Sequence, residues 1–252
     1  MCATCGCSTA VEDPGGHGHD HNHGHGHAHG EEITLEQKIL AKNDHLAAHN
    51  RAWLRDRGIL AVNLMSSPGS GKTTLLERSA RDLAGRVTVS VVEGDQETAL
   101  DADRIRAAGC QVVQINTGAG CHLDAAMVDG ALRDLDPPPG SVVVIENVGN
   151  LVCPALFDLG EAARVVLASV TEGTDKPLKY PQMFRSADLV VVTKTDLSPH
   201  VDFDIGKFGE YIGQVSPRAA IIHLSSVTGS GLPAWYDWLT AKVPAVGAPT
   251  RG

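Results

Sequence analysis

The chain has 252 residues, a formal charge of −9 with histidine neutral, and 42% hydrophobic residues. That length and apolar share suit one large domain with an appendage. The acidic balance argues against a nucleic-acid surface, which needs clustered Lys and Arg, and no apolar run of about 18 residues is present to span a membrane, so a cytoplasmic protein without either partner is expected.

The chain opens "MCATCGC", with Cys2, Cys5 and Cys7 in reach of one ion. Loss of Met1 would add the α-amino group of Cys2 as a fourth ligand, since its ordinary pKa is about 8. Three thiolates and an amine suit a soft or borderline divalent metal, whereas the bland reading is a disulfide-forming tail. From His17 a histidine occupies every second position, through His19, His21, His23, His25, His27 and His29. Gly, Asp and Asn spacers deny this run a core, so residues 1–30 are expected to form a flexible metal-binding tail. A purification tag would be contiguous; this run is interrupted.

Residues 31–58 predict a helical prefix. Ile33, Ile39, Leu40, Leu46, Trp53 and Leu54 recur near helical spacing, Thr34 and Gln37 fit a capping box, and Gly58 fits a stop. His45 and His49, four apart, are expected to be solvated positions rather than ligands.

After Gly58, β-branched runs at 59–65, 87–93, 111–115, 141–146, 164–170, 188–193 and 219–225 alternate with helical stretches. This predicts an α/β fold over residues 59–243, a doubly wound, mostly parallel sheet of about seven strands with 244–252 as a flexible end; the glycine-rich "SSPGSGKTT" after the first run makes it the P-loop NTPase type. Ligands then gather beyond the carboxyl ends of the strands.

The first such end carries "SSPGSGKTT", residues 66–74. Gly69 and Gly71 let the backbone turn its NH groups toward a polyphosphate, with Ser70 and Thr74 completing the loop. Lys72 would reach the β and γ phosphates, and the Thr73 hydroxyl would serve Mg2+. The usual pattern begins with Gly, where this chain has Ser66.

"TKTD", 193–196, ends the sixth run and is similar to the Asn-Lys-x-Asp element of GTPases. The Asp196 carboxylate would accept from guanine N1–H and its amine, while adenine would leave it unpaired; this points to GTP over ATP. Lys194 would cover the base, and Ser226 in "SSV" would approach it. Thr193 replaces the usual Asn, which puts one bond to the base or phosphate loop in question.

Asp95, in "EGDQET", and Glu146, in "ENVG", are candidate magnesium ligands, and with Lys72 and Thr73 they form the expected catalytic group. Gly149 would give its NH to the γ-phosphate, so that losing the phosphate releases the loop. Cys153 stands four residues further on, and Cys121 and His122 follow the third run. Two thiolates and an imidazole make an incomplete site for Zn2+ or Ni2+, which a twofold dimer could complete. On the alternative reading, both cysteines are small buried hydrophobes, as expected of Cys110, and His122 caps a helix.

"CATCGC", the histidine run, "MSSPGSGKTTLLE", "VEGDQET", "GAGCHLDA", "ENVGNLVCPA" and "VTEGTDKPLKYPQMF" together resemble the HypB family of hydrogenase nickel-incorporation GTPases, from Cys2 to about Leu239. The resemblance implies a homodimeric GTPase that delivers nickel, with the chaperone HypA, to the large-subunit precursor of [NiFe] hydrogenase. It also implies nickel ligation by Cys2, Cys5 and Cys7, and a second metal site at Cys121, His122 and Cys153. Three rival readings remain: a urease-type accessory GTPase, a metal-storage protein without GTP turnover, and a small-molecule P-loop kinase, for which no acceptor pocket or base stands out.

Overall fold

The computed structural model describes residues 28–95, 100–118 and 120–244. Seven strands, β1 (Leu60–Ser66), β2 (Val89–Asp95), β3 (Gln111–Asn116), β4 (Val142–Glu146), β5 (Ala163–Ser169), β6 (Leu189–Thr193) and β7 (Ala220–His223), form one sheet in the order β3-β2-β4-β1-β5-β6-β7. Every neighbouring pair is parallel. The connections carry helices α1 (Ala28–Asp56), α2 (Lys72–Asp82), α3 (Leu100–Ala107), α4 (Ala125–Leu135), α5 (Lys176–Lys179), α6 (Pro181–Arg185), α7 (Ile205–Val215) and α8 (Leu232–Lys242). The architecture is the doubly wound sheet that the alternating runs predicted, of the P-loop NTPase type that the loop after β1 predicted.

Parallel strands covered on both faces read as continuous apolar runs, and all seven residues of β1 are buried. Leu60, Val62 and Leu64 point to one layer, where Leu75 and Leu76 of α2 meet Trp235 and Leu239 of α8. Ala61, Val143 and Ile145 point to the other, against Leu54 of α1 and Val128 and Leu132 of α4. On the far side of β1 that layer continues as Val166 and Val190 under Phe184 and Phe208. Only the edge strands β3 and β7 are partly exposed along their length. From β1 the chain crosses to β2 on one side, and from β4 it crosses back over β1 to β5. Strand order reverses at β1, and that is where an open α/β sheet gathers its ligand.

The prefix departs from expectation at its start. The helix already runs from Ala28, so Thr34 lies inside α1 rather than capping it, and Ala28 to Gly30 of the expected tail fall within the helix. Ala, Glu and Ile between 28 and 33 are compatible with helix, so nothing in that stretch forces a start at Thr34. Nor does the apolar stripe alone form the inner face: Ile39 is 51% exposed, while Asn43, Ala47, Asn50 and Leu54 are buried. Asn43 and Asn50 go inward because loop backbone, not apolar side chain, faces them there. Gly58 does end the prefix, at φ 63, and His45 and His49 are exposed. Cys2, Cys5, Cys7 and His17 to His27 lie outside the described residues, as do 245–252; His29 lies within α1, its side chain not described.

Candidate nucleotide and metal site

Between β1 and α2 the phosphate loop turns on Gly69 and Gly71, whose φ values of 75 and 93 are open to glycine and strained for other residues. It lines a cleft of about 480 Å³ with Gly69, Ser70, Gly71, Lys72, Thr73 and Thr74, joined by Glu93, Asp95, Glu146, Asn147, Gly149 and Lys194. Ser66, the departure from the usual pattern, is fully buried, and its Oγ accepts from Lys72 Nζ at 2.9 Å. The segment after β5 braces the loop: Glu172 accepts from Ser70 Oγ at 2.5 Å and pairs with Lys176 at 2.6 Å, and Lys176 Nζ donates to Ser67 Oγ at 2.5 Å. Burial opposes the Glu172 charge, but bonds from Lys176, Ser70 and the Ser169 NH hold its carboxyl below the ordinary range.

The base element also contacts this loop. Thr193 Oγ1 donates to the Ser70 carbonyl at 2.7 Å, so the residue that replaces Asn ties the loop to β6. Lys194, in the left-handed region at φ 57, donates to the Gly69 carbonyl at 2.7 Å. Asp196 Oδ1 is shut from solvent with no hydrogen-bond partner among the described residues. Asp196 and Ser226 do not line the cleft itself; the Ser226 carbonyl accepts from Arg78 at 3.4 Å.

Two carboxylates face the phosphate end. Glu93 and Glu146 are register partners on β2 and β4, 2% and 5% exposed. Glu146 Oε1 accepts from Thr73 Oγ1 at 3.2 Å, while Oε2 of each glutamate is buried without a hydrogen-bond partner among the described residues. Burial, then the neighbouring Glu146 charge, pushes Glu93 up to about 8; burial pushes Glu146 up to about 7 against the pull of Lys72. Unsatisfied carboxylate oxygens beside a hydroxyl are hard donors of the kind magnesium takes. Sequence reasoning singled out Asp95 and missed Glu93, because only the strand order puts β2 against β4.

Gly149 packs on the loop so closely that a Cβ would come within 3.1 Å of Pro68. The chain then runs to Cys153, 2% exposed, at the start of a 3-10 turn. Cys121 and His122 follow β3, and the three ligand atoms lie within 4.8 Å of one another. Cys121 Sγ donates to Cys153 Sγ at 2.8 Å and lies 3.7 Å from His122 Nδ1. Burial lowers the His122 pKa, with Asp124 opposing, which favours the neutral ring that binds metal. The cap of α4 is Asp124, accepting from Met127 NH at 2.8 Å, so His122 is not needed for that task. Cys110 stands apart, buried and donating to the Val89 carbonyl, its thiol pushed up to about 11 by burial.

A phosphate loop at the switch point of a parallel sheet defines a P-loop nucleotide-binding protein, and beside it stands a Cys/His cluster with the donors and spacing to hold a metal ion. The model of the nucleotide-binding domain of the CobW/HypB/UreG family matches residues 60–223. The hydrogenase maturation factor HypB of Rhizobium leguminosarum bv. viciae is 56% identical over 207 residues, 82% of this chain and 69% of that protein. The hydrogenase/urease maturation factor HypB of Helicobacter pylori strain J99 is 42% identical over 219 residues, 84% of this chain and 88% of that one. A crystal structure of HypB from Helicobacter pylori in complex with nickel superposes with a TM-score of 0.75 at 41% identity, covering 82% of this chain and 99% of that chain. The chain belongs to the CobW/HypB/UreG family, and within it to the HypB hydrogenase maturation factors.

Proposed function

We propose that this chain is a GTP-hydrolysing nickel metallochaperone, which loads nickel into the large-subunit precursor of [NiFe] hydrogenase. The observation that carries the reading is the continuity of one loop: β4 ends at Glu146 in the nucleotide cleft, and the same chain passes Gly149 to reach Cys153 in the metal cluster. Asp196, with its buried unpaired oxygen, is the acceptor for guanine. Mg2+ would be held by Thr73 with Glu146 and Asp95 and would supply charge neutralisation at the phosphates. Lys72, which lines the same cleft, would reach the β and γ phosphates.

Nickel is the cargo, and Cys121, His122 and Cys153 are its ligands; zinc fits the same donors. GTP orders the Glu146–Cys153 loop and draws two copies of the chain together, and hydrolysis relaxes the ligand set so that the ion moves to an acceptor. HypA is the partner chaperone, and the Cys2, Cys5, Cys7 and histidine-run tail holds a local nickel reserve. Among the described residues no helix is long and apolar enough to cross a membrane; the proposed setting is the cytoplasm.

The test is nickel titration of the purified chain with GDP and with a non-hydrolysable GTP analogue. Affinities that differ severalfold between the two support the coupling, and equal affinities end it. The Helicobacter pylori relative is named for both hydrogenase and urease maturation, which favours nickel delivery to urease as the second reading. Hydrogenase activity and growth on urea in a deletion strain separate the two.

A further inference from the structure

Helix α1 precedes the span that the family model matches, yet its inner face holds both loops that carry the metal ligands. Asn43 uses both ends of its amide: Nδ2 donates to the Asp158 carbonyl at 2.8 Å, and Oδ1 accepts from Ala125 NH at 2.9 Å. Two turns later Asn50 Nδ2 donates to the carbonyls of Ala125, at 2.9 Å, and Leu159, at 3.1 Å. Arg51 meets both carboxylate oxygens of Asp158, at 2.6 and 2.7 Å. Gly160, at φ 91, allows this approach; a Cβ there would stand 2.6 Å from Asn50 Cβ and 2.7 Å from the Ala47 carbonyl.

The gripped residues frame the cluster. Ala125 stands three residues past His122, and Asp158 five past Cys153. Phe157, beside Asp158, lies flat on the His122 ring, with centroids 3.9 Å apart and planes 19° from parallel. A plain helix-to-sheet contact would have used apolar side chains at the Asn43 and Asn50 positions. Here buried amides reach backbone on two separate loops at once, which fixes the loops relative to each other as well as to the helix.

The geometry points to α1 as a positioning element of the metal centre: through Asn43, Asn50 and Arg51 it sets Asp158, and Phe157 then fixes the plane of the His122 imidazole. The inference rests on the reading that Cys121, His122 and Cys153 bind nickel. Groups that orient a metal-bound histidine commonly change affinity tenfold to a hundredfold when removed. Phe157 acts by contact with the ring face, and Arg51 acts at one remove.

The test uses the full chain with Cys2, Cys5 and Cys7 changed to Ser, so that thiolate-to-nickel charge-transfer absorption reports the loop cluster. Phe157→Leu and Arg51→Met should each weaken nickel binding about tenfold and change the charge-transfer spectrum, with GDP affinity unchanged. Phe157→Tyr, which keeps the flat face, should stay within about twofold of the parent. Wild-type affinity and spectrum in Phe157→Leu overturn the proposal, as does equal loss in the Leu and Tyr variants. The Arg51 side chain is 45% exposed, so Arg51→Met still tests the positioning role if a Phe157 variant does not fold. The double variant Cys121→Ser, Cys153→Ser separates the two readings: absorption that survives it sinks the nickel assignment itself, whereas absorption lost there but unchanged in Phe157→Leu and Arg51→Met sinks only the positioning role.

Discussion

Asn147 Oδ1 accepts from the Leu123 NH at 3.3 Å, which joins the residue after Glu146 to the residue after His122. Asn147 is 1% exposed and lines the nucleotide cleft, and its Nδ2 donates to Asn63 on β1 at 3.3 Å. Gly94 stands behind the same contact, since a Cβ there would meet the Leu123 side chain at 2.9 Å. The cleft therefore touches the Cys121, His122 and Cys153 cluster through a second path besides the chain from Gly149 to Cys153. Asn147→Ala should bring the ratio of nickel affinities with GDP and GTP analogue about threefold or more closer to one, on the order of the net worth of one hydrogen bond. Paired titrations of the variant and the parent measure it, and an unchanged ratio removes Asn147 from the coupling.

The Glu93 and Glu146 pair makes the chain's stability sensitive to pH when metal and nucleotide are withheld. A Glu93 carboxyl raised from 4.5 to about 8 favours the protonated folded state. Its contribution is complete below pH 4.5 and is lost as pH rises toward about 8, because the unfolded chain gives up the proton first. Unfolding free energies from urea titration should fall between pH 5.5 and 8, and Glu93→Gln, which cannot ionise, should flatten that fall by about 1–3 kcal/mol. A slope identical in the variant would place the charge elsewhere.

Thr193 serves the phosphate loop through one hydroxyl. Thr193→Val keeps the shape and leaves the Ser70 carbonyl without that donor, a cost of about 1–2 kcal/mol for a buried polar group. GDP binding should weaken about fivefold to thirtyfold, and Thr193→Ser should restore most of it. Calorimetric titration of the two variants reads this directly; equal affinities in Val and Ser would show the hydroxyl to be idle.

Gly160→Ala should destabilise the fold by about 1–3 kcal/mol or more, since the left-handed backbone and the contact with Asn50 both resist a side chain. Protease should then cut α1 from the rest of the chain sooner than in the parent. A denaturation midpoint equal to the parent's would mean that α1 yields freely.

The sheet was legible because each strand is a short β-branched run between helical stretches, and all seven occur within two residues of where the runs place them. The phosphate loop was legible for the same reason, being local. What the sequence hid is long-range. Glu93 reads as the polar end of a strand until β2 and β4 are known to be neighbours, and Phe157 reads as loop filler until it meets His122. Asn43 and Asn50 stand at helical spacing from Leu40, Leu46 and Leu54, but a polar amide reads as a solvated position; they face inward because backbone NH and carbonyl groups, rather than methyls, await them. Ser66 seemed a flaw in a motif, yet it holds the ammonium of Lys72.

All strands point the same way, so the exits from β1, β3 and β4 open on one rim of the sheet. On the proposed function, a protein that collects an ion from Cys121 and Cys153 would approach the same rim that carries the nucleotide cleft. Handover and nucleotide exchange would then take turns, and a lingering acceptor would slow the next cycle.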